Sequence, residues 1–435
     1  MTRMSRWLVV FTVLSALLAL PLCGMATTPQ VAGAELQVNT NTSSQVHNPV
    51  AAYDAAGRSI VVWENDLLGV RGRLYSASGQ PVGAEMSLAA NAAWSVLPGS
   101  GPVVFHHDPA VAFLPNGDFL VAWAQQKGTL EWTIFFENLQ VQSEEIVVQR
   151  FNSSGSAVAQ PFTVSSGGVG LKRRPQLAVR ATGDVLATWM SSYGPTSTPA
   201  GEIGVFTRTL NQNGRPTGSQ IEVDLGYGTG SIAATPAFAV APDGSYVVAW
   251  ESQLGTNPFN TSVLARAFSA AGAALGSPVA ISGALVGPQL RPTVATDGQG
   301  SYLVAWQSYL NDVWHARIHG QIVGAAGNLL GKPVVISTGA NGTAEVAPTA
   351  VAAPGNTFVL VWMEFDTWFP NGMVSVQVDN TGAPLGSEVW VNSQQINSQL
   401  RTALATNGAG HFLAPYEGFM NASQVGIRAR FFDAQ

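Results

Sequence analysis

The chain has 435 residues, of which 46% are hydrophobic and only 11% charged, with 46 Gly and 25 Pro. That length suits two or three average domains or one large repeat array, and so many turn residues beside so few charges exclude a coiled coil and a charge-driven disordered chain. A net charge of −6 leaves no basic footprint for nucleic acid, which is excluded as a partner.

Residues 1–26 read as a secretory signal. Arg3 and Arg6 precede an apolar stretch, Trp7 to Leu22, and Gly24-Met25-Ala26 places small residues before a cut after Ala26. The stretch falls short of the roughly 20 residues that span a bilayer, and no other segment approaches that length, so no transmembrane span is expected. Ala32-Gly33-Ala34 offers a second cut site, but the repeat begins at Gly33. Cys23 is the only cysteine, so a chain cleaved after Ala26 makes no disulfide and no Cys-ligated metal site. Leu20-Pro21-Leu22-Cys23 resembles a bacterial lipoprotein box, although Leu22 departs from the small residue expected before the Cys. A lipid anchor at Cys23 therefore stands beside free secretion, and the expected location is the cell surface, the periplasm or the exterior.

From Gly33 onward one phrase recurs: Pro, a short apolar run, a Gly turn, and an aromatic-rich strand ending in Trp. It reads PVAAYDAAGRSIVVW at Pro49–Trp63, PAVAFLPNGDFLVAW at Pro109–Trp123, PQLAVRATGDVLATW at Pro175–Trp189 and PAFAVAPDGSYVVAW at Pro236–Trp250. PTVATDGQGSYLVAW at Pro292–Trp306 and PTAVAAPGNTFVLVW at Pro348–Trp362 follow, and Thr402–Tyr416 keeps the spacing with Thr for Pro and Tyr for Trp. After each phrase a strand carrying Arg or Gln (Arg73, Arg150, Arg208, Arg266, Gln321, Gln377) enters a Gly turn and a short fourth strand such as GSQIEV or GKPVVI. Four strands per unit, with Trp-to-Trp steps of 60, 66, 61, 56 and 56 residues, are the pattern of β-propeller blades. A string of separate sandwiches needs about 100 residues per module.

The seventh copy ends at Ile427–Gln435 without a fourth strand, whereas GAELQVN at Gly33–Asn39 aligns with GSEVWVN at Gly386–Asn392. The expectation is an all-β, seven-bladed propeller of four-stranded antiparallel blades over residues 27–435. Residues 33–41 form a latch strand that completes the last blade and removes the exposed sheet edges. The Trp and the strand Arg and Gln are expected to pack and hydrogen-bond between blades.

This phrase, DG-x-[FY]-[VL]-[VA]-x-W with a following Gly turn and a Val-Asn-type strand, resembles a repeat of many secreted bacterial surface proteins. The resemblance covers Gly33 to Gln435 and implies extracellular location and a propeller fold, without an activity. The D-x-D-x-D-G calcium loop of integrin-like propellers and the S-x-D-x-G-x-x-W box of sialidases are both missing.

Function is expected where the repeat varies. Two long connections stand out: AQQKGTLEWTIFFENLQVQSEE after Trp123, and AANAAWSVLPGSGPVVFHHD before Pro109. The face that carries such connections holds Trp132, Phe135, Phe136, Trp314, Trp368 and Phe369, aromatics that stack on sugars or anchor a protein, or else form satellite clusters beneath loops. Arg174, Arg291 and Arg401 precede the first strands of blades three, five and seven, with His47, His107 and Lys172-Arg173 nearby. Converging guanidinium groups bind carboxylate or phosphate bidentately, as the arginine triad of sialidase-like enzymes does. The alternative is that each is solvated or pairs with Glu64, Glu251 or Glu417, which follow the second strands.

Those glutamates are the paired carboxyls available for acid–base work. His106-His107 does not read as a metal site, because neighbours on a strand point apart. No HExxH, GxSxG, phosphate-loop or dinucleotide motif carries weight, and no cofactor is implied. The leading expectation is a binding propeller without chemistry of its own, recognising a glycan or protein at the cell surface through its long-loop face. The alternatives are a propeller glycosidase or lyase acting on an acidic sugar, and a structural component of an envelope or matrix.

Overall fold

The computed structural model describes residues 29–433 apart from 43, 93–100, 133–136, 167–169, 193–202, 225–230, 255–259, 310–314, 340–342, 367–368, 394–401 and 422–423. The signal segment 1–26 lies outside the described residues. Among the described residues every regular element is a strand, and no helix is long and apolar enough to cross a membrane.

The strands form antiparallel units of four in chain order. They occupy residues 46–89, 101–163, 172–222, 231–280, 289–335 and 343–390, with a last unit at 405–433 completed by Gln30–Gln37. Hydrogen bonding merges the third and fourth units into one eight-stranded sheet through a parallel pair, Ile203 with Ile232, so the described residues form six sheets rather than seven separate ones. The cause is local: third and first strands of adjacent units come close enough at these two residues to share a bridge. Gln30–Gln37 pairs antiparallel with Gln424–Asp433, with Leu36 opposite Ala429 and Gln37 opposite Arg428. Glu35 anchors this strand, accepting from Tyr416 Oη and from Ser393 N at 3.2 Å.

Each unit opens with a tight hairpin. In the first, Gly57 takes the left-handed region (φ 81°), and Asp54 Oδ1 accepts from Ala56 N and Arg58 N at 2.9 and 2.8 Å. The segment after Trp123 departs from expectation. Instead of a loop of more than twenty residues, it continues two strands, Phe119–Trp132 and Glu137–Phe151, which stay paired out to Trp132 with Glu137. The strand Gly101–Phe113 follows them as far as Gly101 with Leu130. Polar side chains on both faces hide the two-residue period of this hairpin from a hydrophobicity reading.

Among the described residues seven apolar clusters pack adjacent units together along their seams. Trp123 packs with Ile60, Val62 and Leu88 of the unit before it, and Trp306 with Val247 and Ala249 of its own predecessor. The seventh seam joins the ends of the chain, packing Trp63 and Val61 against Val38, Leu413, Ile427 and Ala429. The six Trp that end the repeated phrase are each at most 2% exposed. Three of the recurring arginines bind the preceding unit's outer strand: Arg73 Nη1 to Val38 O at 3.0 Å, Arg208 Nη1 to Val164 O at 2.8 Å and Arg266 Nη1 to Val223 O at 3.0 Å. Gln321 and Gln377 instead bond within their own units.

Candidate functional site

The first strands share one irregularity. Proline supplies no N–H to the ladder, and each strand is bulged at its Pro, with register shifts from His47 to Val50, His107 to Ala110, Arg173 to Gln176, Ala234 to Ala237, Leu290 to Thr293 and Val346 to Thr349. The residue before each Pro sits in the left-handed region: Asn48, Asp108, Arg174, Thr235, Arg291 and Ala347 have φ of 50 to 55°. Such strain in non-glycine residues persists only where the surroundings impose it.

These bulges surround one channel of about 390 Å³, lined by first-strand residues of six units and by Thr402–Leu404 of the seventh. Its wall is Pro49, Pro109, Pro175, Pro236, Pro292 and Pro348 with small apolar neighbours, and the six left-handed residues line it as well. Hydrogen bonds of one kind tie four pairs of successive units there. Asn48 N donates to Glu417 Oε1 (3.0 Å), Asp108 N to Glu64 Oε2 (3.1 Å), Arg291 N to Glu251 Oε1 (2.6 Å) and Ala347 N to Gln307 Oε1 (3.0 Å). The acceptor each time is the residue after the aromatic of the preceding unit. Glu64 also accepts from Asn48 Nδ2 at 2.8 Å. At Arg291 the bond to Glu251 comes from the backbone N–H and not from the guanidinium, so it is not the side-chain pairing weighed from the sequence. The glutamates hold the bulges, which limits them as a free acid–base pair.

Beside the channel a second cavity of about 360 Å³ is lined by Asn48, Glu64, His107, Asp108, Arg173, Arg174 and Met190. Glu144, 1% exposed, lies under it on the continued hairpin. Its Oε1 is 2.6 Å from Arg173 Nε and 3.2 Å from His107 Nε2, and its Oε2 accepts from Lys172 N at 3.1 Å. Arg173 Nη1 stands 2.9 Å from His107 Nδ1. A guanidinium only donates, so in this contact Nδ1 keeps its lone pair and the ring proton sits on Nε2, facing Glu144. Burial works against a charged ring, but the carboxylates of Asp108 and Glu144 outweigh it and raise the His107 pKa. Burial also lowers the Lys172 ammonium. At the corresponding place in the first unit, hydrogen bonds to Asp66 and Glu417 push His47 up to about 10. His106 turns the other way, toward Asn91, Gln125 and the edge of Trp123, as alternation on a strand requires.

Of the residues singled out by sequence, Arg174 and Arg291 line the channel together. Arg401, Phe135, Phe136, Trp314 and Trp368 lie outside the described residues, as do the side chains of Trp132 and Phe369. Sequence reading missed Glu144 and Asp108 as partners of His107 and Arg173. Glu144 falls in the stretch read as a loop, and nothing local marks it.

No protein-family profile matches the chain, and no curated protein does. Solved structures share its fold. A protein of unknown function from Dyadobacter fermentans aligns at 9% identity and TM-score 0.52, over 92% of this chain and 98% of that one. A polysaccharide lyase of family PL25, an ulvan lyase bound to -[GlcA(1-4)Rha3S]-, aligns at 10% identity and TM-score 0.54, over 92% and 96%. A second structure of a PL25 ulvan lyase gives 11% identity and TM-score 0.50 over the same shares. The fold is β-propeller-like, with four-stranded antiparallel units throughout.

Proposed function

We propose that the chain is a secreted, closed seven-bladed propeller, carrying the surface-protein repeat that its sequence resembles, and that it acts as a lyase on an acidic polysaccharide at the channel mouth. Closure is supported by the seventh seam and by the pairing of the chain's two ends. The observation that carries the functional reading is Arg173, Arg174 and His107 lining one cavity. The PL25 lyase bound to a GlcA-containing unit, similar over 92% of this chain, supports the substrate class.

The chemistry is a β-elimination from a uronate. Guanidinium groups neutralise the sugar carboxylate and so acidify the carbon beside it. A carboxylate that takes the Arg173 fork releases His107 Nδ1, whose lone pair then removes the proton on that carbon. The electron pair forms the ring double bond, the glycosidic C–O bond breaks, and the same imidazolium returns its proton to the leaving oxygen. Elimination is favoured over hydrolysis because Glu64, Glu251 and Glu417 are engaged by backbone N–H groups. A second reading, recognition of the same glycan without chemistry, is favoured by the burial of His107, which is 8% exposed.

The test follows the ultraviolet absorbance of unsaturated uronate products from ulvan, pectate, alginate and hyaluronan, with binding measured in parallel. Product from the wild type that is lost in His107→Gln and Arg173→Ala is the expected result. Binding without product selects the second reading, and neither binding nor product from any uronate polymer contradicts both.

A further inference from the structure

Five of the six described left-handed bulges direct their backbone N–H to a side-chain oxygen: Asn48 to Glu417, Asp108 to Glu64, Arg174 to Asp108, Arg291 to Glu251 and Ala347 to Gln307. The sixth is Thr235, with φ 50°. The acceptor for its N–H belongs after Trp189, where the chain has Met190, a thioether in the register position of Glu64, Glu251, Gln307 and Glu417. Among the described residues no side chain accepts from the Thr235 N–H. Thr235 is half-buried and lines the channel, so this donor stands at the edge of a space a ligand can enter. A backbone N–H displaced by a bulge and given no side-chain acceptor is a ready donor to an anionic ligand.

Its neighbours set the charge. Arg174 and Arg291, on the bulges to either side, line the same channel. Arg173 is the cross-strand partner of Met190, and both line the adjoining cavity. The protein supplies its own template for the missing group, since a carboxylate oxygen lies 2.6 to 3.1 Å from the equivalent N–H at Arg291, Asn48 and Asp108.

We propose that the Thr235 N–H, flanked by Arg174 and Arg291 and given no acceptor by Met190, is a subsite for a uronate carboxylate, which takes the place that a glutamate fills at Asn48, Asp108 and Arg291. The site rests on the reading that the mouth receives an acidic glycan. It holds a second uronate of the chain whose neighbour lies at Arg173 and His107. Repeating uronates are thereby selected over a single acidic sugar.

Three variants test the subsite. Met190→Gln supplies a neutral acceptor like Gln307 and fills the slot without adding charge near Arg173. Met190→Glu fills it with the carboxylate found at three other seams, and Met190→Leu supplies no acceptor. Calorimetry with a glucuronate-containing tetrasaccharide should show binding weakened about tenfold or more in the Gln and Glu variants, the scale of one charge-assisted hydrogen bond, and unchanged in the Leu variant. Thermal midpoints of the Gln and Glu variants should equal or exceed the wild type's, since each adds a seam tie. In the wild type the Thr235 amide resonance should move on titration with the tetrasaccharide and stay fixed with its methyl ester.

Wild-type binding that Met190→Gln leaves intact, or an unmoved Thr235 amide in the presence of bound sugar, overturns the subsite alone. A wild type that binds no uronate oligosaccharide overturns the functional reading and the subsite with it. If Met190→Gln does not fold, the Thr235 amide decides.

Discussion

The seams and the mouth are built from adjacent residues of the same strand, yet they behave as opposites. At the seams one aromatic recurs in every unit, fully buried, and each apolar cluster repeats the last. One residue further, at the mouth, the same register position reads Glu64, Ala124, Met190, Glu251, Gln307, Met363 and Glu417. The bulge residues opposite vary as freely, from Asn48 to Arg291 and Ala347. Packing between units constrains shape and tolerates little change, because a close-packed interior feels each lost methylene. A channel mouth needs only its backbone donors satisfied, and several side chains can do that. The exceptions to satisfaction are where a ligand has room to act.

If seams carry stability and the mouth carries chemistry, perturbations should separate the two. The largest effect should come from deleting residues 27–41. That removes the strand paired with Gln424–Asp433, the Val38 contribution to the seventh seam, and the Val38 carbonyl that Arg73 binds. A fall in thermal midpoint on the order of 10 °C is expected by calorimetry. An unchanged, equally cooperative melt would break the comparison. Next, Trp250→Ala empties a fully buried site at a seam and should cost about 3–5 kcal/mol in denaturant unfolding. Arg173→Ala should weigh on function first, with lost action on uronate polymers and a smaller stability cost of about 1–3 kcal/mol, because the buried Glu144 loses one partner and keeps the Lys172 N–H and His107.

The smallest effect concerns pH. Glu345, fully buried beside Ser337 and Arg317, has its carboxyl pushed up to about 7 by burial. The unfolded chain releases that proton near the ordinary value of 4.5, so between about 4.5 and 7 the native state holds more protons and stability declines as pH rises. Glu345→Gln should therefore flatten the stability profile across that window. His47 acts at the other end. With its pKa raised to about 10, its contribution is complete below about 6.5 and fades as pH climbs toward 10. Thermal melts of His47→Gln should differ most from the wild type at low and neutral pH and converge in alkali.

The seams were legible because a residue repeated at fixed spacing announces a repeated environment, and because the truncated last unit pointed to Leu36 and Val38 as its missing edge. The mouth was legible only in part. Arg174, Arg291 and the three glutamates stood out, but the glutamates' partners are backbone N–H groups exposed by a left-handed turn. Asn48 and Asp108 tolerate that conformation, whereas Arg174, Thr235 and Ala347 give no hint of it in their identity. The recurring Pro was the available signal, since a strand residue without an N–H requires a bulge. Glu144 could not be placed because its hairpin has polar residues on both faces and its partners, His107 and Arg173, lie far away in sequence.

The most direct test is a crystal structure of the protein with a glucuronate-containing oligosaccharide. The account predicts sugar at the channel mouth, with one carboxylate against Arg173 and His107 and another at the Thr235 N–H between Arg174 and Arg291. Sugar bound on the outer strands, with the mouth unoccupied, would contradict it.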